Sequence, residues 1–111
     1  MGEIVMNNDL DVICGRIMLL FKRVDQTRYW IQVANDPYDS SYNFFFNSQR
    51  RGKRLKSIPL HKLENYDLRY LEKIIDELKQ ETNLTIKFIG FADMRWPKTQ
   101  KIIQWRRDNL E

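Results

Sequence analysis

An apolar stripe within residues 67–81 sets the strongest limit on the fold. Aliphatic residues recur there at helical spacing, and charged residues occupy the positions between them. This pattern predicts an amphipathic helix that must bury one side against another element. Asp67 or Asn65 is suited to cap its first turn. The stripe consists of Leu68, Leu71, Ile74, Ile75 and Leu78.

Most of the remaining chain has the pattern of β-strands. Residues 13–24 are apolar on both faces at their centre, as in a central strand, and the turn residues 25–27 would join them to a second strand in a hairpin. Residues 28–34 and 42–47 alternate apolar and polar side chains. Pro59, which lacks an N–H donor, should end any pairing at its position. Two further strands are expected, a weak one over residues 53–58 and a clearer one over residues 84–91.

A final helix is predicted from residues 97–99 to about residue 110, because Pro97 suits a first helical turn. The expected order is β-β-β-(β)-α-β-α. It describes an α+β fold in which an antiparallel sheet of three to five strands carries two helices on one face. The length of 111 residues fits one domain spanning residues 1–111, with residues 1–12 as a flexible arm.

Positive charge is concentrated in two segments of the chain. No acidic residue occurs between Asp39 and Glu64, whereas this interval holds six cations. Clustering of this kind is typical of a surface that binds phosphates. The first set, residues 50–56, is called the basic loop and contributes Arg50, Arg51, Lys53, Arg54 and Lys56; the second set contributes Arg95, Lys98, Lys101, Arg106 and Arg107.

Aromatic residues exceed what one face of a small sheet needs for its core. Phe44 and Phe46 are expected inside, since they alternate with Phe45 along one strand. Trp30, Phe45 and Trp96 are the candidates for stacking on bases or for contacts with a protein. The basic and aromatic motif typical of RNA-binding sheets is absent from the sequence.

The residue inventory argues against most enzymes. With His61 and Cys14 as the single histidine and cysteine, a zinc site made of such ligands is excluded within one chain. His61 is expected to be structural. No glycine-rich phosphate loop and no nucleophile motif occurs. The carboxylates that a metal nuclease would need are Asp9, Asp11, Asp36 and Asp39, of which Asp36 and Asp39 are better explained as turn residues.

These observations predict a small, non-enzymatic, cytoplasmic protein without metal, cofactor or membrane segment. Its leading function is binding of nucleic acid, DNA or RNA, through the basic loop and a basic C-terminal helix. An alternative is a regulator or inhibitor, of viral or mobile-element origin, that uses the same cations to contact an acidic protein surface. A metal-dependent nuclease is a remote third hypothesis. No feature of the sequence sets an oligomeric state.

Overall fold

A computed structural model describes residues 8–105 of the chain. Two helices and four strands make up this part. The secondary structure elements are α1 (Asn8–Leu20), β1 (Thr27–Asp36), β2 (Ser41–Arg50), β3 (Lys56–Leu63), α2 (Leu68–Glu81) and β4 (Thr85–Ile89).

The four strands form one mixed sheet in the order β3-β2-β1-β4. β2 lies antiparallel to both β1 and β3, whereas β4 lies parallel to β1, with Ile31 opposite Ile86. The expected α+β class is therefore confirmed, but a purely antiparallel sheet is not. The reason lies in α2, which follows β3 and returns the chain to the end of the sheet where β1 begins. β4 therefore starts at that end and runs in the same direction as β1.

Both helices pack on one face of this sheet. The core joins Ile13 and Ile17 of α1 to the stripe of α2 and to alternate strand residues such as Ile31, Val33 and Phe44. Helix α2 begins after its N-cap Asp67, whose carboxylate accepts the N–H of Arg69. The predicted helix over residues 67–81 and the inward placement of Phe44 and Phe46 are confirmed.

The predicted first strand over residues 13–24 is wrong, because residues 8–20 form α1. The hairpin with residues 28–34 is wrong for the same reason, and residues 8–12 belong to α1 rather than to a flexible arm; residues 1–7 lie outside the described part. Met18 and Leu19 are 80% and 79% exposed. These outward-facing apolar residues lengthen the apolar run and hide its helical period. Neither helix in residues 8–105 has the length and apolar character that a membrane span requires.

The basic loop is the tip of a hairpin between β2 and β3. Pro59 does not end the pairing, however, since β3 continues to Leu63 and Pro59 lies opposite Phe45. The register shifts between Phe44 and Phe45, which accommodates the proline. In addition, β3 is an edge strand. On the side of β3 that faces no other strand, a missing N–H removes no hydrogen bond from the sheet.

The chain after β4 forms a folded-back segment instead of the predicted last helix. Residues 101–105 are not helical, and Arg95 and Ile102 form an antiparallel bridge. The backbone N–H of Trp96 donates to the carbonyl of Lys101 at 2.9 Å, which closes the turn between them. Gln100 in this turn has a φ of 63°, which a continuing helix would not allow. Residues 106–111, with the predicted sites Arg106 and Arg107, lie outside the described part.

Candidate functional site

The basic loop is anchored by its backbone, while its cationic side chains are exposed. The N–H of Arg51 donates to the carbonyl of Gln26 at 2.8 Å, and the N–H of Lys53 donates to the carbonyl of Arg50 at 2.8 Å. Gly52 has a φ of 76°, which a residue with a side chain rarely adopts. The turn therefore presents its charges to solvent from a fixed backbone.

Strand pairing brings additional cations beside the loop. Thr27 lies opposite Arg50 and Arg28 lies opposite Gln49, so the start of β1 adjoins the end of β2. Sequence reasoning missed this, because only the contacts of the folded chain show that residues 22–28 adjoin the loop. We call this end of the molecule the basic end. It contains one acidic residue, Asp25, and eight cations: Lys22, Arg23, Arg28, Arg50, Arg51, Lys53, Arg54 and Lys56.

Two grooves of about 480 Å³ each lie at the base of the hairpin, one on either side of the sheet. The groove on the side of the helices is bordered by Tyr29 and Ser48 and by four cations. The groove on the other side is bordered by Gln49 and by three cations. Neither groove has an acidic residue in its lining. The cations are Arg50, Lys53, Arg54 and Lys56 in the first groove and Arg28, Arg50 and Arg51 in the second.

The members of the second predicted basic set that lie within residues 8–105 do not join the basic end. Arg95 is held by a hydrogen bond to the carbonyl of Gln100 at 2.9 Å, and the N–H of Lys98 donates to the carboxylate of Glu72 in the first half of α2. This segment adjoins the end of the sheet where β1 and β4 finish and α2 begins. At about 3.3 Å per residue, the eight residues from Arg50 back to Tyr42 separate the two ends by about 26 Å. Arg95, Lys98 and Lys101 therefore form a separate group.

The sheet face opposite the helices carries two of the predicted aromatic residues. Trp30 on β1 and Phe45 on β2 are half-buried, and neither belongs to the core on the helix side. The ammonium group of Lys87 on β4 lies 4.8 Å from the centre of the Trp30 ring. We call this surface the open face. Its central residues are Arg28, Trp30, Gln32, Phe45, Asn47, Ser57 and Lys87.

A row of polar side chains crosses the open face between the two rings. The amide of Asn47 donates to the Gln32 side-chain oxygen at 2.7 Å, and the hydroxyl of Ser57 donates to Asn47 at 2.6 Å. Asn47 is 1% exposed. These bonds satisfy buried polar groups and fix the surface on which Trp30 and Phe45 stand.

Trp96 occupies a different environment from the other two predicted aromatic sites. Its ring meets that of Phe88 edge-on, with centroids 5.4 Å apart, and it packs against the core on the helix side. It thus lies away from Trp30 and Phe45. The open face therefore carries two of the three candidates.

Asp9 joins α1 to β3 and α2. Its carboxylate oxygens lie 2.7 Å from the Nε2 of His61 and accept the hydroxyl of Tyr70 at 2.6 Å. Burial alone would raise the pKa of Asp9, but the hydrogen bonds from Tyr70 and His61, together with the charge of His61, hold it below its usual value. His61 is half-buried and tied to another element, which is the structural role expected from the sequence.

The candidate carboxylates of the β1–β2 turn accept local hydrogen bonds. One oxygen of Asp36 accepts the N–H groups of Tyr38 and Asp39 at 3.1 Å each, which confirms Asp36 as a turn residue. Asp39 accepts the hydroxyl of Ser41 and pairs with Lys62 at 2.5 Å. Within residues 8–105, no group of three acidic, histidine or cysteine side chains is arranged to hold a metal ion.

Comparison of the chain with protein-family models, with curated proteins and with solved structures gave no significant match.

Proposed function

We propose that this protein is a non-enzymatic module that binds nucleic acid through its basic end. The observation that carries the proposal is the pair of grooves at the base of the β2–β3 hairpin, which are bordered by cations and by no acid. A phosphate backbone carries closely spaced negative charges, and grooves of one sign concentrate the potential that attracts it.

The attraction at this end rests on side chains rather than on helix dipoles. Helix α1 ends near the basic end, since Phe21 just beyond it lies edge-on to Tyr29 at 4.9 Å. Helix α2 also runs towards this end before β4 begins beside Trp30. Helix C-termini carry partial negative charge and do not favour anions. The logarithm of the affinity should therefore fall in proportion to the number of cations removed.

The test is a salt series with labelled oligonucleotides and the variant Arg51→Ala/Arg54→Ala. Each phosphate contact to a single strand contributes about −0.7 to the slope of log affinity against log salt. Loss of two contacts should make the slope shallower by about 1.4. At 0.1 M salt the same loss should lower the affinity roughly 25-fold.

The matched control is Lys98→Ala/Lys101→Ala, which removes the same charge from exposed positions at the other end of the sheet. We expect it to leave the slope unchanged. Equal effects of the two variants would show that net charge, rather than the basic end, determines binding. A lack of binding by the wild type at low salt would reject the proposal.

A protein partner is the second candidate function, and the exposed pair Met18 and Leu19 on α1 favours it. Adjacent apolar residues facing solvent are typical of contact surfaces. This candidate would be favoured by a purified complex that survives nuclease treatment. Met18→Lys/Leu19→Lys should disrupt such a complex, whereas Arg51→Ala/Arg54→Ala should not. Loss of the complex on nuclease treatment would count against it.

A further inference from the structure

We infer that the nucleic acid bound at the basic end is single-stranded, and that its bases stack on Trp30 and Phe45 of the open face. This inference rests on the proposed function and specifies its substrate class. The stacked bases lie on one surface of the sheet, since the rings and one of the two grooves share that surface, while cations of both grooves contact the phosphates. A double helix would place its phosphates on the same cations, but its paired bases would not reach the rings.

The groove bordered by Arg28 and Arg51 continues directly onto the open face. Arg28 and Trp30 are two residues apart on β1, so their side chains point to the same side of the sheet. Gln49, which also borders the groove, stands in the same relation to Asn47 on β2. A strand whose phosphates lie in the groove therefore meets the aromatic residues next.

The two rings are spaced for neighbouring bases of one strand. Trp30 lies opposite Asn47, and Phe45 comes two residues before Asn47 on β2, so the two aromatic residues are diagonal neighbours. Diagonal positions on an antiparallel pair are about 7–8 Å apart. Sheets that present aromatic residues at such positions can stack two or three unpaired bases.

The polar groups around the rings suit the rest of a nucleotide. The ammonium of Lys87 lies over the Trp30 ring, 4.8 Å from its centre, so a base that stacks on this face displaces the ammonium, which can then pair with the phosphate of the same nucleotide. Gln32, Asn47 and Ser57 are already hydrogen-bonded to one another in a row. This arrangement favours stacking without strong sequence preference, because an aromatic ring accepts any base.

The experiment compares an oligothymidine with a duplex of equal length, using Trp30→Leu and Phe45→Leu. Leucine keeps the apolar bulk at each site but removes the ring. Loss of a stacked base lowers affinity roughly 5- to 150-fold. Because both rings are half-buried, we expect each leucine variant to lower the affinity for oligothymidine about tenfold. Duplex affinity should change less than about twofold, because paired bases do not stack on side chains. Tyr38→Leu, a fully exposed aromatic in the β1–β2 turn, is the matched control.

A second readout uses the fluorescence of Trp30. Binding of oligothymidine should quench the emission of the wild type, and Trp30→Phe should retain binding while losing most of the quench. Circular dichroism establishes that each variant is folded. The conservative Trp30→Phe keeps the test valid if Trp30→Leu fails to fold.

The failures can be told apart. If oligothymidine binds with the expected salt slope, yet neither leucine variant weakens it selectively, the inference is overturned and the proposed function stands. Equal losses for duplex and single strand would also overturn it. If neither nucleic acid binds at low salt, the proposed function fails and the inference fails with it.

Discussion

At the scale of single residues, Asp9 links the three elements that build the helix-covered side of the protein. It belongs to the first turn of α1, while His61 comes from β3 and Tyr70 from α2. Arg16, two turns further along α1, donates to the carbonyl of Leu60 and adds a second tie to β3. Hydrogen bonds to a charged acceptor stabilise more than neutral ones. Asp9 therefore contributes to the docking of α1.

The pH dependence of this contribution follows from the lowered pKa of Asp9. A carboxyl whose pKa is lowered on folding stabilises the protein at pH values above its pKa in the unfolded chain, which is about 3.9. This stabilisation is lost as the pH falls through its pKa in the folded protein. Asp9→Asn should lower the free energy of unfolding by about 1.5 kcal/mol at pH 7. The difference from wild type should shrink below about pH 4. Urea unfolding at several pH values measures it.

Asp11→Asn is the control for this prediction, because it removes the same charge from an exposed position in the same helical turn. We expect it to change the free energy of unfolding by less than about 0.5 kcal/mol, as is usual for surface sites. An Asp9→Asn effect no larger than that of Asp11→Asn would contradict the role assigned to the Asp9 hydrogen bonds.

At the scale of elements, the sequence predicted those whose apolar period was clear. Helix α2 was predictable because its stripe recurs without interruption, and β2 because Phe44 and Phe46 alternate with Phe45. Helix α1 was not, because exposed Met18 and Leu19 fill the gaps in its pattern. The parallel direction of β4 depends on where α2 returns the chain, and no local pattern encodes that.

The corrected assignment of α1 makes a prediction about Gly15. It lies within the helix, and a Cβ built on it would meet nothing within 4 Å. Gly15→Ala should therefore raise the free energy of unfolding by about 1 kcal/mol, the usual helical difference between the two residues. Gly52→Ala provides a contrast, since its φ of 76° should make the change destabilising by about 1 kcal/mol. A loss of stability in Gly15→Ala would argue against α1.

The candidate site was only partly predictable from the sequence, because some of its contacts depend on which strands pair. The cations of the basic loop are contiguous and could be read directly, whereas Arg28 joins them through the pairing of β1 with β2. Lys87 meets Trp30 through the parallel pairing of β4. Contacts made by register between distant strands are not present in the local composition.

At the scale of the whole molecule, one core connects the basic end to the rest of the described chain. The buried cluster includes residues from both helices and from β1, β2 and β3, and β4 packs against it through Ile86 and Phe88. Domains with a single core usually unfold in one cooperative transition. Free energy gained when a ligand binds at the basic end should then stabilise every element together, including the distant segment that carries Trp96.

This cooperativity can be tested with the proposed ligand. An oligothymidine at 100 times its Kd should stabilise the folded state by about 2.7 kcal/mol. For a domain of this size that corresponds to a rise in Tm of roughly 10 °C. Arg51→Ala/Arg54→Ala should show a much smaller rise at the same concentration, because fewer phosphates are held. Scanning calorimetry measures both. A second transition that the ligand leaves unshifted would mean that part of the molecule unfolds independently, since a shared core transmits ligand stabilisation to all of its elements.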